Sequence, residues 1–130
     1  MAEPRDVYLA YLRRCNEHRF DQLGDFVAQD VMVNGESRGL VAYVAGLQSV
    51  IDAFADYRWE LRHLLVEEPW LSARLHDTGT HTGPAWGIAA TGRRISTHEL
   101  ALYRLDDGKI VEVWGTADNL TVLDQLRARP

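Results

Sequence analysis

From residue 59 to residue 117 the chain is built of segments whose side chains alternate between apolar and polar, separated by turn residues. This pattern constrains the fold most, because an alternation of period two suits a half-buried strand and not a helix. Residues 59–66 alternate and stop at Glu68-Pro69. Residues 70–76 alternate again and run on toward His81. Gly79, Gly83, Pro84, Gly87 and Gly92 then mark a long irregular connection. Residues 94–105 form a third segment and residues 109–117 a fourth. Between these two, Asp106-Asp107-Gly108 signals a hairpin, since Gly108 takes positive φ at little cost. Read as a three-residue loop, it sets Leu105 opposite Lys109, Leu100 opposite Trp114, and His98 opposite Thr116.

The first half reads as helical. Val7, Tyr8, Tyr11, Leu12 and Cys15 recur at helical spacing, and Pro4 suits a first turn. Phe20, Leu23, Phe26 and Val27 extend the pattern, so residues 5–28 predict one helix or two, with Asp21 as a cap for the second. Residues 30–34 predict a short strand, followed by a turn bracketed by Gly35 and Gly39. Residues 40–56 predict a third helix with a broad apolar face, and Gly46 inside it suggests close packing. Helices, a short strand, a helix, then four antiparallel strands predict an α+β fold, one curved sheet wrapped around helices with room for an apolar pocket.

A chain of 130 residues is sized for a single domain, residues 1–130, and can bury a core without disulfides. Cys15 is its one cysteine, so no internal disulfide forms. The net charge is −5, and the basic residues, all arginine except Lys109, are scattered. That disfavours a nucleic-acid partner. The start, Met1-Ala2-Glu3-Pro4-Arg5-Asp6, carries no hydrophobic run, and no stretch reaches membrane-spanning length. The expectation is a cytoplasmic protein with no membrane partner.

Strand periodicity puts His98, Leu100 and Leu102 on one face with Glu112, Trp114, Thr116 and Asp118. An acid and an imidazole beside one apolar wall suit general acid/base chemistry. The plainer alternative makes His98 a sheet histidine and Asp118 the cap of residues 119–126. His76 and His81 flank an acid, but without helical spacing or cysteine help they make a poor metal site. His81 is better suited to holding the glycine-rich connection. His63 alternates with Leu61 and Leu65, facing either the pocket or a partner. Asn34 shares a face with Met32 and either binds a substrate oxygen or ties down the turn at Gly35. Tyr11 can offer a hydroxyl to the pocket. No serine sits in a nucleophile elbow and no glycine run matches a cofactor loop, so neither metal nor cofactor is expected.

The run from Trp70 through Thr-His-Thr-Gly83, the block Ala90-Thr-Gly-Arg93, and the stretch from Tyr103 through Asp-Asp-Gly-Lys-Ile110 to Trp114 and Asp118 together resemble the SnoaL-like polyketide cyclase family. Residues 26–34 fit it as well, so the resemblance covers nearly the whole chain. It implies an NTF2-like or ketosteroid-isomerase-like cone, a homodimer, and one deep apolar pocket per subunit. It also implies cofactor-free ring closure on a polyketide-like small molecule by intramolecular aldol addition, a lyase or isomerase chemistry of antibiotic biosynthesis. Asp118 matches the aspartate that acts as acid/base in the family, His98 is the histidine available to assist it, and Asn34, Trp114, Leu100, Tyr11, His63, His81 and Glu112 are candidate substrate contacts. Epoxide-opening ether or pyran formation, isomerisation, non-catalytic ligand binding and a scaffold role stand as alternatives.

Overall fold

The computed structural model describes residues 3–128. Met1 and Ala2, at the start noted above, and Arg129 and Pro130 lie outside the described residues. Helix α1, Pro4–Asn16, buries Val7, Tyr8, Tyr11, Leu12 and Cys15 along one stripe, as the spacing requires. Its last turn carries Arg13 and Arg14, which complement the negative end of the helix dipole. The next apolar stripe is too short for an α-helix and forms a 3-10 turn, Phe20–Asp25. Arg19 stands at its cap position, so Asp21 lies within the first turn and does not cap it.

Strand β1, Val27–Val33, begins three residues earlier than the sequence suggests, and β2 is the short Glu36–Ser37. Helix α2, Leu40–Ala53, lays Tyr43, Val44, Leu47, Val50 and Ile51 against the core. Gly46 turns out to face open space, so it does not mark close packing. Four strands follow: β3, Arg58–Glu67; β4, Trp70–Thr80; β5, Arg94–Asp106; and β6, Lys109–Ala117. Helix α3, Asn119–Arg127, closes the fold. The six strands form one sheet in the order β2-β1-β6-β5-β4-β3, antiparallel except for the β1–β6 pair. Among the described residues no helix is long and apolar enough to cross a membrane.

Two details of register decide which side chains meet. The β5–β6 turn holds two residues, not three: Asp106 pairs with Lys109, while Asp107 and Gly108 both take positive φ. A bulge beyond Leu105 shifts the ladder further, so Trp114 lies opposite Leu102 and Thr116 opposite Leu100. The total slip is two residues, which preserves the grouping of side chains by face. In β3 an irregularity between Leu61 and His63 breaks the alternation and sends His63 outward.

The helices cover only one side of the sheet. That inner side carries Leu71, Ala73, Leu75 and Asp77 from β4 and Ile95, Thr97, Ala101 and Tyr103 from β5, all buried. The outer side carries His98, Leu100, Leu102 and Trp114. Leu100 remains 57% exposed and Trp114 42% exposed. The apolar wall expected to line the pocket is therefore the outer surface of the sheet. Both sides of β5 and β6 carry large apolar residues, and only the seating of α1 and α2 selects the inner one.

Candidate active site

Between the inner side of the sheet, α1 and α2 lies a cavity of about 300 Å³. Tyr11, Tyr43, Tyr57, Trp59 and Tyr103 give it aromatic walls. Ala101 and Gly115 sit opposite each other in register and form a low floor, which leaves space beside Glu99. Burial raises the hydroxyls of Tyr11, Tyr57 and Tyr103 above the ordinary phenol range, so they stay protonated as donors. Tyr11 and Tyr43 share a hydrogen bond between their hydroxyls. Burial also pushes the Cys15 thiol up to about 12, so this cysteine on the cavity wall is an inert core group.

Glu99 lines this cavity, and Asp77, fully buried and outside the lining, stands beside it. Asp77 pairs with Thr97 and Glu99 with Leu75, which makes the two carboxyls diagonal neighbours on adjacent strands of the inner side. Tyr57 donates from its hydroxyl to Asp77 Oδ2 at 2.8 Å. Asp77 Oδ1 is buried without a conventional donor, and the Asp77 and Glu99 carboxyls interact directly with each other. Two carboxylate oxygens make such a contact only with a proton between them. Desolvation is the main cause that lifts both acids above the usual carboxylate range, and the neighbouring Asp77 lifts Glu99 further. The pair thus retains a proton near neutrality, one member as acid and the other as base.

A linkage consequence follows for stability. The Glu99 pKa is raised on folding, so between its unfolded and folded values the native state holds a proton that the unfolded chain has lost. Stability therefore falls as pH rises through that window. Glu99→Gln removes the effect. In thermal melts its Tm should match wild type near the ordinary glutamate pKa of about 4.3 and exceed it increasingly toward alkaline pH. Parallel curves for the two proteins would contradict a buried, protonated Glu99.

The residues expected from sequence divide sharply. Tyr11 lines the cavity, and Asn34 stands at its rim. Asn34 has φ 50° and accepts from the Gly115 N–H at 2.9 Å, so its side chain ties the turn after β1 to β6. Asp118 lies outside the cavity and caps α3: it accepts from the Thr121 N–H at 3.1 Å and from the Thr121 hydroxyl at 2.7 Å. Those bonds hold its carboxyl below the ordinary range, the opposite of what a desolvated base requires. His98 is on the outer side, its ring 5.6 Å from that of His76. Trp114 and Leu100 are on the same outer side, and Trp114 donates to Glu112 at 2.6 Å while Arg104 donates to Glu112 at 3.0 Å. His63 accepts from Arg74 at 2.9 Å on that surface. His81 is fully buried, and its Nδ1 accepts from the Thr91 N–H at 3.2 Å, which anchors the β4–β5 connection.

Sequence reasoning missed Asp77, Glu99, Tyr57 and Tyr43. A signal for Asp77 was present: Leu71, Ala73 and Leu75 make the cleanest apolar alternation in the chain, and Asp77 is its next member. Glu99 carried none until the β4–β5 register was known.

A sheet-and-helix cone closed around an aromatic, acid-bearing chamber defines the class of NTF2-type small-molecule folds. The SnoaL-like polyketide cyclase family model matches residues 5–126, and the chain belongs to that family. Aklanonic acid methyl ester cyclase DauD of Streptomyces sp. (strain C5) is 30% identical to it, with 97% of this chain and 83% of the relative covered. Aklanonic acid methyl ester cyclase DnrD of Streptomyces peucetius is also 30% identical, over 97% of this chain and 92% of that protein. A SnoaL-like polyketide cyclase from Agrobacterium tumefaciens superposes with a TM-score of 0.86 at 33% identity, covering 97% and 99% of the two chains. IdmH of Streptomyces antibioticus shares the fold, with a TM-score of 0.89 at 24% identity over 98% and 100%.

Proposed function

We propose that this single-domain chain is a polyketide cyclase that closes a ring by intramolecular aldol addition, with Glu99 and Asp77 as the acid/base pair. The observation that carries the reading is the buried acid pair whose Glu99 member lines the aromatic-walled cavity. A carbon between two carbonyls is already acidic, so a desolvated carboxylate suffices to remove its proton. The enolate carbon attacks a second carbonyl of the same molecule, forming the carbon–carbon bond. The removed proton returns to the new alkoxide, so the product is an isomer of the substrate and nothing is consumed. The protonated Tyr11–Tyr43 hydroxyl pair keeps one proton free to donate where oxygen charge develops. The chamber holds a flexible chain in its reactive pose, an advantage that is large for intramolecular steps. Its volume of about 300 Å³ is at the small end of ligand sites.

The test is incubation with linear 1,3-dicarbonyl chains bearing a distal ketone. The expected product has unchanged mass, a new retention time and a lost active-methylene signal. Absence of both ring closure and solvent deuterium uptake at that methylene, across chain lengths, would remove the cyclase assignment.

The same reading includes a homodimer formed through the outer side of the sheet. Leu65, Ser72, Leu102 and Trp114 lie in one row across β3 to β6, with Leu100 adjacent. Leu65 is 71% exposed, an apolar surface suited to a second copy. Leu100→Arg should convert the sedimenting species from dimer to monomer without unfolding it. An unchanged sedimentation coefficient would place the contact elsewhere. The setting proposed is the cytoplasm, away from nucleic acid, in keeping with the net charge of −5 and the single buried Cys15.

A further inference from the structure

We propose that the substrate is longer than the acid-bearing cavity and that its apolar, ring-bearing end is held in a second cavity under Trp86. This rests on the cyclase reading and names where the far end of that substrate goes. The second cavity measures about 360 Å³ and shares Val50, Tyr57 and Asn119 with the first. A molecule that passes these three residues leaves the acid pair and meets Phe54, Ala85, Trp86, Ile95 and Val122. These five side chains are apolar, with the polar lining confined to Ser49, Tyr57 and Asn119, so the wall they form fits a hydrocarbon or aromatic portion.

Trp86 is the second observation. Ala85 and Ile88 exchange both backbone hydrogen bonds, at 3.0 and 2.8 Å, around a two-residue turn. Trp86 has φ 49° and Gly87 φ 75°, so both turn residues are left-handed. Glycine, asparagine and aspartate suit such a turn, whereas a bulky side chain is rarely found there. Trp86 is also 51% exposed. A large apolar side chain is thus held in a strained conformation, in water, at the mouth of an apolar cavity. Packing does not account for it, because half the indole touches solvent. A planar ligand stacked beneath the indole does, and it makes Trp86 a specificity-determining residue.

The test measures binding of two probes, 2-naphthol and 1,8-dihydroxyanthraquinone, to wild type, Trp86→Asn and Ala85→Phe. Asparagine tolerates the left-handed turn, so Trp86→Asn should melt at or above the wild-type temperature. Ala85→Phe fills the second cavity from the other side. Both variants should weaken the three-ring probe by about tenfold or more and leave the two-ring probe within about twofold, the scale of one lost aromatic stacking contact. The proposal falls if wild type does not bind the anthraquinone, if both variants bind it as wild type does, or if the two probes weaken equally. Glu99→Gln separates the two levels. Ring closure that survives it overturns the acid/base reading, while the contrast between the probes still decides the second cavity.

Discussion

Glu99→Gln is expected to lower the rate of ring closure by roughly 10²–10⁴-fold, the usual range for a lost general acid/base. Glutamine keeps the size of the side chain and its place on β5 opposite Leu75. It cannot give up a proton to the developing alkoxide, and it cannot share one with Asp77. The fold should survive, because the wild-type acid already sits protonated in an apolar wall, so a neutral amide is no harder to bury. The rate constant of a single turnover, measured beside a circular dichroism spectrum, checks both halves. Asp118→Asn is the matched control. Asp118 lies at the start of α3 with both oxygens engaged by Thr121, and asparagine is an equally good cap. Its turnover should stay within a few-fold of wild type. A collapse of activity in Asp118→Asn with an unaffected Glu99→Gln would return the acid/base role to the end of β6.

Gly83→Ala should be the most damaging small substitution in the chain. A Cβ at Gly83 would stand 2.0 Å from the carbonyl oxygen of Asp52 and 3.5 Å from the Ala53 Cα. The obstacle is backbone at the end of α2, which cannot rotate away. The same close approach lets the N–H groups of Thr82 and Gly83 both donate to the Ala53 carbonyl at 3.0 Å, satisfying the helix terminus. Relieving the clash breaks those bonds and lifts the β4–β5 connection from the helix. A loss of about 3 kcal/mol or more is expected, and for a chain of this size roughly 10 °C in Tm. Gly46→Ala is the contrast. It lies in the middle of α2 with nothing near its Cβ position and should gain about 0.5–1 kcal/mol. Similar melting temperatures for the two variants would show that the connection does not rest on α2.

Much of the fold is legible in the chain. The alternations between residues 59 and 117 mark four strands, three of them to within one residue at either end, while β4 runs four residues past His76 to Thr80. Helical spacing marks α1 and α2. It overextends the 3-10 turn, because short apolar stripes do not separate an α-helix from a tighter turn. The grouping of His98, Leu100 and Leu102 with Trp114 and Thr116 is also correct by face, although the ladder is two residues off. What alternation cannot reveal is which face looks inward. On β5 and β6 both faces are apolar enough to be a core, and the outer one carries the histidine and tryptophan that suggest a site.

The sequence by itself determines the elements, their order, and which side chains travel together, because those follow from local backbone periods and turn chemistry. The tertiary structure alone decides the proposed acid/base pair. Asp77 and Glu99 are far apart in the chain, and neither is unusual until α1 and α2 seal one side of the sheet. Removal of water from that side raises both carboxyls, and the β4–β5 register sets them within reach of one proton. Desolvation and register are properties of the assembled sheet. His63 shows the same limit from the other direction: alternation leaves it facing either the pocket or a partner, and one bulge in β3, with no local marker, puts it on the outer surface.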